Sequence, residues 1–221
     1  MKKVNQTQVR PEIGLTFSTG LRTLVRQDPD IIMVGEIRDK ETAELSVHAA
    51  LTGHLVLSSI HTNNAIGAIP RLIDMGIDGF LLSASVRLLA AQRLIPKLCQ
   101  KCKQQEPLTD TTLAKIIEDL RGIPDAAKQD ENQKNPKFLY KSPGCPECKE
   151  MGVSGRIAII EIVPISRAMR MAMNEFSGFD QLAAIAKKEG MISMRQEGTL
   201  KALMGEVRYE DVIRVTSETE L

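Results

Sequence analysis

Two short apolar runs, Ile31-Ile32-Met33-Val34 and Leu55-Val56-Leu57-Ser58-Ser59, constrain this chain more than any other feature. Each is too short and too continuously apolar for a surface helix, and each suits a strand buried on both faces. Asp28-Pro29-Asp30 sets off the first run and Gly53-His54 the second, while residues 41–51 between them read as a helix. Strand, helix, strand is the connection that a parallel pair requires, because a tight turn cannot return the chain to the same edge.

The flanking pattern predicts further elements. A helix over 17–26 carries Phe17, Leu21, Leu24 and Val25 on one face, with Thr16 or Ser18 as cap. Ile66, Ile69, Leu72 and Ile73 keep helical spacing up to Gly76, and a longer helix is expected over 80–94. Residues 96–143 change character: a cysteine pair, a helix around 113–120, then the polar run 125–136, which reads as a partly flexible insert. A strand over 157–163 and helices near 167–174, 180–188, 194–204 and 209–215 follow. The organisation is therefore 1–95, a partial parallel-sheet core; 96–155, a cysteine module; and 156–221, a strand with a helical region.

Composition narrows the partners. Twenty-nine basic against twenty-eight acidic residues leave a formal charge of +1, and aromatics are only 3% with no Trp. Neither a basic field nor base-stacking platforms are available, which argues against nucleic acid. The most apolar stretch is broken by Arg87 and Arg93, so no membrane span is expected, and the polar residues after Met1-Lys2-Lys3 do not read as an export signal.

Chemistry concentrates at three places. Asp28 to Asp39, DPDIIMVGEIRD, delivers Glu36 just past the end of an apolar strand, the edge at which open parallel sheets bind ligands. A carboxylate there can hold a metal's water or polarise an attacking one; otherwise it pairs with Arg38, or caps the next helix with Asp39. His54 and His61 bracket the second strand seven residues apart, an odd separation that keeps them off one strand face and argues against a shared metal. Glu36, His61 and His54 are expected together at one edge of the sheet, His54 as the weakest member, because it precedes its strand and reaches that edge only if its loop folds back.

The third place is Cys99-Gln-Lys-Cys102 with Cys145-Pro-Glu-Cys148. A CxxC turn sets two thiolates on one ion, and two such turns close a tetrahedral site with no open position, the signature of structural zinc. Two disulfides or a redox pair are the competing readings, and a reducing compartment favours zinc.

The stretch from Arg26 to Ala43, RQDPDIIMVGEIRDKETA, together with Thr52 to Asn63, TGHLVLSSIHTN, resembles the Walker B segment and His box of the GspE/PilB-type ATPases of type II secretion and type IV pilus assembly. Ser59-Ile60 stands where that family has Thr-Leu. The likeness extends through the tetracysteine module to Gly155-Arg156-Ile-Ala-Ile-Ile-Glu161 and the final helices. It implies an α/β fold: a truncated RecA-like parallel-sheet ATPase core with a tetracysteine zinc-binding insert and a small helical C-terminal region. It implies Glu36 as the Walker B acid, His54 and His61 as His-box residues, and Arg22 and Arg26 as arginines reaching phosphates. No two glycines lie five apart, so the phosphate loop GxxxxGK[ST] is absent. The family pattern is entered at Val4-Asn5-Gln6, within a domain, which reads as a truncated or partial product. The expected whole is a homo-hexameric cytoplasmic motor using ATP, Mg2+ and structural Zn2+, working on an inner-membrane platform protein, with this portion inactive alone. The alternative is a non-enzymatic zinc-stabilised module that docks on full-length subunits.

Overall fold

The computed structural model describes residues 5–175 and 178–217, the Pro11 side chain excepted. Val4, where the family pattern is entered, lies outside them. In chain order the elements are α1 (Phe17–Val25), β1 (Ile31–Val34), α2 (Lys40–Leu51), β2 (Leu55–Ser58), α3 (Ala68–Asp74), α4 (Gly79–Ser85), β3 (Leu88–Leu98) and β4 (Gln104–Pro107). Then come α5 (Asp110–Asp119), α6 (Glu131–Lys134), β5 (Phe138–Lys141), β6 (Val153–Pro164), α7 (Arg167–Glu175), α8 (Phe179–Lys188), α9 (Met194–Leu203) and α10 (Tyr209–Thr216). They form two compact units: Met1–Thr62 with Ile66–Arg87 and Ile165–Leu182, and Asn63–Ala65 with Leu88–Pro164 and Ala183–Leu221.

In the first unit β1 and β2 pair in parallel, Ile31 opposite Leu55 and Val34 opposite Ser58. The crossover is α2, begun by Asp39, whose carboxylate accepts from the Thr42 amide at 2.8 Å and the Thr42 hydroxyl at 3.1 Å. Gly53, at φ +103°, reverses the chain after α2, a conformation that favours glycine. Burial corrects one expectation. Ile32 and Val34 are buried, whereas Ile31 and Met33 are 60% and 76% exposed and Leu55 and Leu57 about as open as Ile31. Only one face of this pair is covered among the described residues, so the continuous apolar run is not, here, a strand buried on both sides.

The helix expected over 80–94 is also corrected. It ends at Ser85, and residues 88–98 form β3, which pairs antiparallel with β6 from Leu88 opposite Pro164 to Ile95 opposite Ile157. An apolar stretch this dense satisfies helical and strand periods alike, and the ladder offered by β6 decides between them. Along β6 the alternation is then clear: Ile159, Glu161 and Val163 point inward, while Ile160, Ile162 and Pro164 face solvent.

The core of the second unit gathers Ile95 and Ile159 with Ile116, Met194, Leu203, Val207 and Val212. Asp119 ties its helices together, accepting from Tyr209 Oη at 2.7 Å, Thr199 Oγ1 at 3.1 Å and Arg195 Nε at 3.1 Å. The buried Glu161 carboxylate is matched by the Ala65 amide at 2.6 Å and the Met194 amide at 3.3 Å, the latter at the start of α9 where the helix dipole favours negative charge. The polar run 125–136, within the insert expected over 96–143, makes specific bonds to the core of this unit. Asp130 and Gln133 form a capping box on α6, and Gln133, 1% exposed, donates from Nε2 to the Leu200 carbonyl at 3.0 Å.

Helix α4 packs on α7 within the first unit, at a contact that leaves no room for a side chain at Gly79. A Cβ there would stand 2.3 Å from the Met173 carbonyl oxygen, a backbone atom that cannot rotate away. Gly79→Ala is therefore expected to destabilise the fold by about 1–3 kcal/mol, seen in urea unfolding as a lower midpoint with an unchanged slope.

Candidate functional site

Because β1 and β2 are parallel and in register, their C-terminal ends open on the same side. Two bonds beyond the ladder fasten those ends: Ser59 Oγ donates to the Gly35 carbonyl at 2.8 Å, and the Ile37 amide to the Ser59 carbonyl at 2.9 Å. Glu36 and His61 are thereby held side by side. His61 Nε2 lies 3.0 Å from Glu36 Oε2, and Arg38 Nη2 lies 2.7 Å from Oε1. An ionised carboxylate only accepts, so His61 presents its Nε2–H to Glu36 and keeps Nδ1 turned elsewhere. The Arg38 hydrogen bond is the main reason the Glu36 carboxyl sits below its ordinary value; partial desolvation opposes it and His61 adds to it.

The other candidates at this site are placed differently. His54 precedes β2, at the opposite end from His61, where its Nδ1 meets the Ala49 carbonyl at 3.0 Å and Thr52 Oγ1 at 3.2 Å. It fastens the turn from α2 into β2 and is not brought to Glu36. Arg22, on α1, pairs with Glu41 at 3.2 Å with both side chains more than half exposed, an ion pair of small energetic weight. Arg26, the C-cap of α1, is exposed. Sequence reasoning raised Arg38 only as a surface partner and missed Ser59, whose signal is a hydroxyl directly after an apolar strand.

The four cysteines meet in the second unit. Cys99 Sγ lies 3.8 Å from Cys145 Sγ, Cys102 Sγ 4.0 Å from Cys148 Sγ, and Cys145 Sγ 3.7 Å from Cys148 Sγ, with all four within 4.8 Å of one another. A tetrahedral zinc with bonds of about 2.3 Å requires sulfur separations of about 3.8 Å. The donor set and its spacing therefore fit a closed four-thiolate metal site, and none of the cysteines is in a disulfide. Loop backbone shapes it: Gly144 cannot carry a Cβ, which would meet the Glu150 carbonyl oxygen at 2.6 Å, and Lys149 and Glu150 are held at φ +54° and +62°.

The thiols are tuned apart. Burial pushes Cys148 up, but the Cys145 and Gly152 amides, 3.1 and 3.3 Å from its sulfur, outweigh it and bring the thiol to about 7. For Cys145 the backbone bond with Cys148 pulls down, and burial with the neighbouring sulfurs prevails, raising it to about 11. Cys102 is raised too, chiefly by burial. One sulfur ready to ionise beside others that resist is a cluster in which a cation would replace protons.

The family model described as Type II/IV secretion system protein matches residues 1–214. Over 218 residues the chain is 44% identical to the type II secretion system protein E of Pseudomonas aeruginosa, covering 99% of this chain and 41% of that protein. It is 41% identical over 215 residues to the type IV pilus assembly ATPase PilB of Thermus thermophilus, covering 97% of this chain and 23% of that one. Among solved structures, the pilus retraction motor PilT with bound ADP aligns with a TM-score of 0.59 at 25% identity, covering 90% of this chain and 43% of PilT. The ATPase DotB of Yersinia pseudotuberculosis aligns with a TM-score of 0.62 over 97% of this chain and 43% of DotB; at 19% identity it shows likeness of fold alone. The chain thus spans less than half the length of these relatives.

The geometry around Glu36 makes a pH prediction. Its depressed value means that the interactions with Arg38 and His61 are in place above the ordinary carboxylate range and are lost as pH falls through the folded-state value. In a carbon-detected NMR titration Glu36 should titrate below the ordinary glutamate value, and Arg38→Gln should move it upward. A Glu36 signal that stays put in Arg38→Gln would show that the arginine does not set it.

Proposed function

The chain belongs to the Type II/IV secretion system protein family, and from that premise we propose that it is the C-terminal portion of a hexameric motor ATPase that couples ATP hydrolysis to protein secretion or pilus extension. Relatives named as a type II secretion system ATPase and a type IV pilus assembly ATPase support the class, and their greater length supports a portion. In this reading the neighbouring subunits of a homo-hexamer and an inner-membrane platform protein are its partners, and the cytoplasmic side of that membrane is its place. No helix among the described residues is long and apolar enough to cross a membrane.

The observation that carries the reading is the Glu36–His61 pair at the shared end of β1 and β2. The Glu36 carboxyl, held below its ordinary value chiefly by Arg38, retains lone pairs with which to accept a hydrogen from a water and orient it. His61 fixes one oxygen of that carboxylate, so the direction in which the other can accept is set by Arg38 and the strand end. Arg22 and Arg26 are exposed on α1, and a weak surface pairing such as that of Arg22 with Glu41 is easily exchanged for an anion. ATP with Mg2+, when bound, brings the phosphoryl group and neutralises its charge. These residues are half of such a site. The chain has no GxxxxGK[ST] loop whose amides would hold the phosphates.

Zinc is the proposed occupant of the four-cysteine site, with Cys99, Cys102, Cys145 and Cys148 as its ligands, in a structural role because all four positions are filled by protein.

Two measurements test the reading. The isolated chain should hydrolyse ATP negligibly, since an oriented water is of no use without phosphates held beside it. Tight ATP binding in calorimetry with turnover abolished by Glu36→Gln would overturn that half-site. Metal analysis of the purified chain should give one zinc per molecule, reduced by Cys145→Ser, and a folded chain free of metal would remove zinc from the reading.

A further inference from the structure

The two cysteine pairs come from loops far apart in sequence, Cys99 and Cys145 being 46 residues apart, and few bonds join the loops directly: the Cys99 amide donates to the Gly152 carbonyl at 3.0 Å and Ser142 Oγ to the Cys99 carbonyl at 3.4 Å. Both are also fastened to one short segment, residues 204–208 between α9 and α10. On the first side, the Leu98 amide, just before Cys99, donates to the Glu206 carbonyl at 2.7 Å. Gln100 Nε2 and Lys103 Nζ both donate to the Gly205 carbonyl, at 3.2 and 3.3 Å. On the second side, Arg208 Nη2 donates to the Ser142 carbonyl at 3.4 Å and the Met151 carbonyl at 3.3 Å, which flank Cys145 and Cys148 in the chain.

We propose that this turn is a positioning element of the metal site: the Gly205 carbonyl holds the first cysteine loop and Arg208 the second, so that the turn adds to the bonds between the loops in ordering the four sulfurs for the metal. The inference rests on the zinc reading of the cluster.

Two glycines show how closely the parts fit. A Cβ on Gly152 would stand 2.6 Å from Arg208 Nη2 and 2.3 Å from the Ser142 carbonyl oxygen, so the guanidinium reaches its carbonyls only because residue 152 has no side chain. The same Gly152 gives its amide to Cys148 Sγ at 3.3 Å and its carbonyl to the Cys99 amide at 3.0 Å. The residue that admits Arg208 therefore touches both cysteine loops. Gly205, at φ +69°, lies against the Tyr140 ring, which a Cβ would meet at 2.7 Å, and Lys103 Nζ sits 4.9 Å from the centre of that ring. Arg208 also occupies the N-cap position of α10, where a donor-only guanidinium cannot cap the helix amides.

The side-chain bonds to the Gly205, Ser142 and Met151 carbonyls, at 3.2 to 3.4 Å, are long, and none of them alone would fix a loop. Acting on both loops they carry a linkage consequence: if the turn raises metal affinity by ordering the loops, the metal must order the turn to the same degree. A merely structural Arg208 would stabilise metal-free and metal-loaded protein alike and leave affinity unchanged.

The test uses the full chain and Zn2+ in competition with a chromophoric chelator. Arg208→Ala should lower zinc affinity by roughly 10- to 100-fold, the range seen when groups that orient metal ligands are removed. Arg208→Lys, which keeps one cationic donor, should recover part of it. Stripping zinc from the wild type should speed hydrogen exchange at the Leu98 amide, bonded to Glu206, more than at Ile159 in the core. Equal zinc affinity in wild type and Arg208→Ala overturns this inference alone, and a wild type that takes up no zinc overturns it together with the zinc reading. Should Arg208→Ala fail to fold, the exchange experiment decides: a Leu98 amide indifferent to zinc overturns the inference.

Discussion

The parallel register of β1 and β2 is the constraint from which the catalytic reading follows. Parallel strands cannot be joined by a tight turn, so α2 is compulsory, and Asp39 starts it while Gly53 ends it. Both strands must then finish on the same side, and residues 25 apart in sequence, Glu36 and His61, come within hydrogen-bonding distance. The same geometry sends His54 to the other end. Ser59 keeps the two ends from separating beyond the last ladder bond, so the position of Glu36 is set by backbone and one hydroxyl rather than by its own contacts.

What could be read in the sequence was what local chemistry dictates. The two apolar runs, the helix between them and the paired CxxC turns each carry their signal within a few residues, and all stand where expected. The failures share another cause: the deciding partner lies far along the chain. Residues 88–94 are apolar at either period, and only β6, some seventy residues on, selects a strand. Gln133 looks like solvated surface until the Leu200 carbonyl, 67 residues away, receives its amide. Ile31 and Met33 were indistinguishable in sequence from residues with a covering layer, because hydrophobicity records a preference for burial and not what provides it.

The two sites are tuned by different means. At Glu36 an exposed cationic side chain, Arg38, favours the ionised carboxylate while leaving it partly exposed, which suits the water-orienting role proposed for it. At the cysteines no Lys or Arg is among the groups that shift Cys145 and Cys148. Cys148 is lowered by amides fixed in the loop, against desolvation and beside sulfurs that resist ionisation. Fixed dipoles in a closed cluster suit the permanent metal proposed there, whereas an exposed charge at an open edge suits the turnover proposed for Glu36.

The same principle places both sites: each stands at the end of a strand pair, where register is exact and side chains are freed from the ladder. At the first, the pair is parallel and its end presents two side chains to solvent. At the second, β3 runs antiparallel to β6 until Leu98 faces Val153, across a register shift after Pro96. The next residues, Cys99 and Gly152, continue that pairing through the Cys99 amide and the Gly152 carbonyl at 3.0 Å. A ladder can deliver one cysteine in this way but not four. Cys145 arrives on the loop between β5, which pairs with β4, and β6, and Ser142 at the start of that loop donates to the Cys99 carbonyl at 3.4 Å. Arg208 adds bonds to the same loop from outside these strands, so the turn between α9 and α10 contributes to the convergence of sulfurs along with the strands.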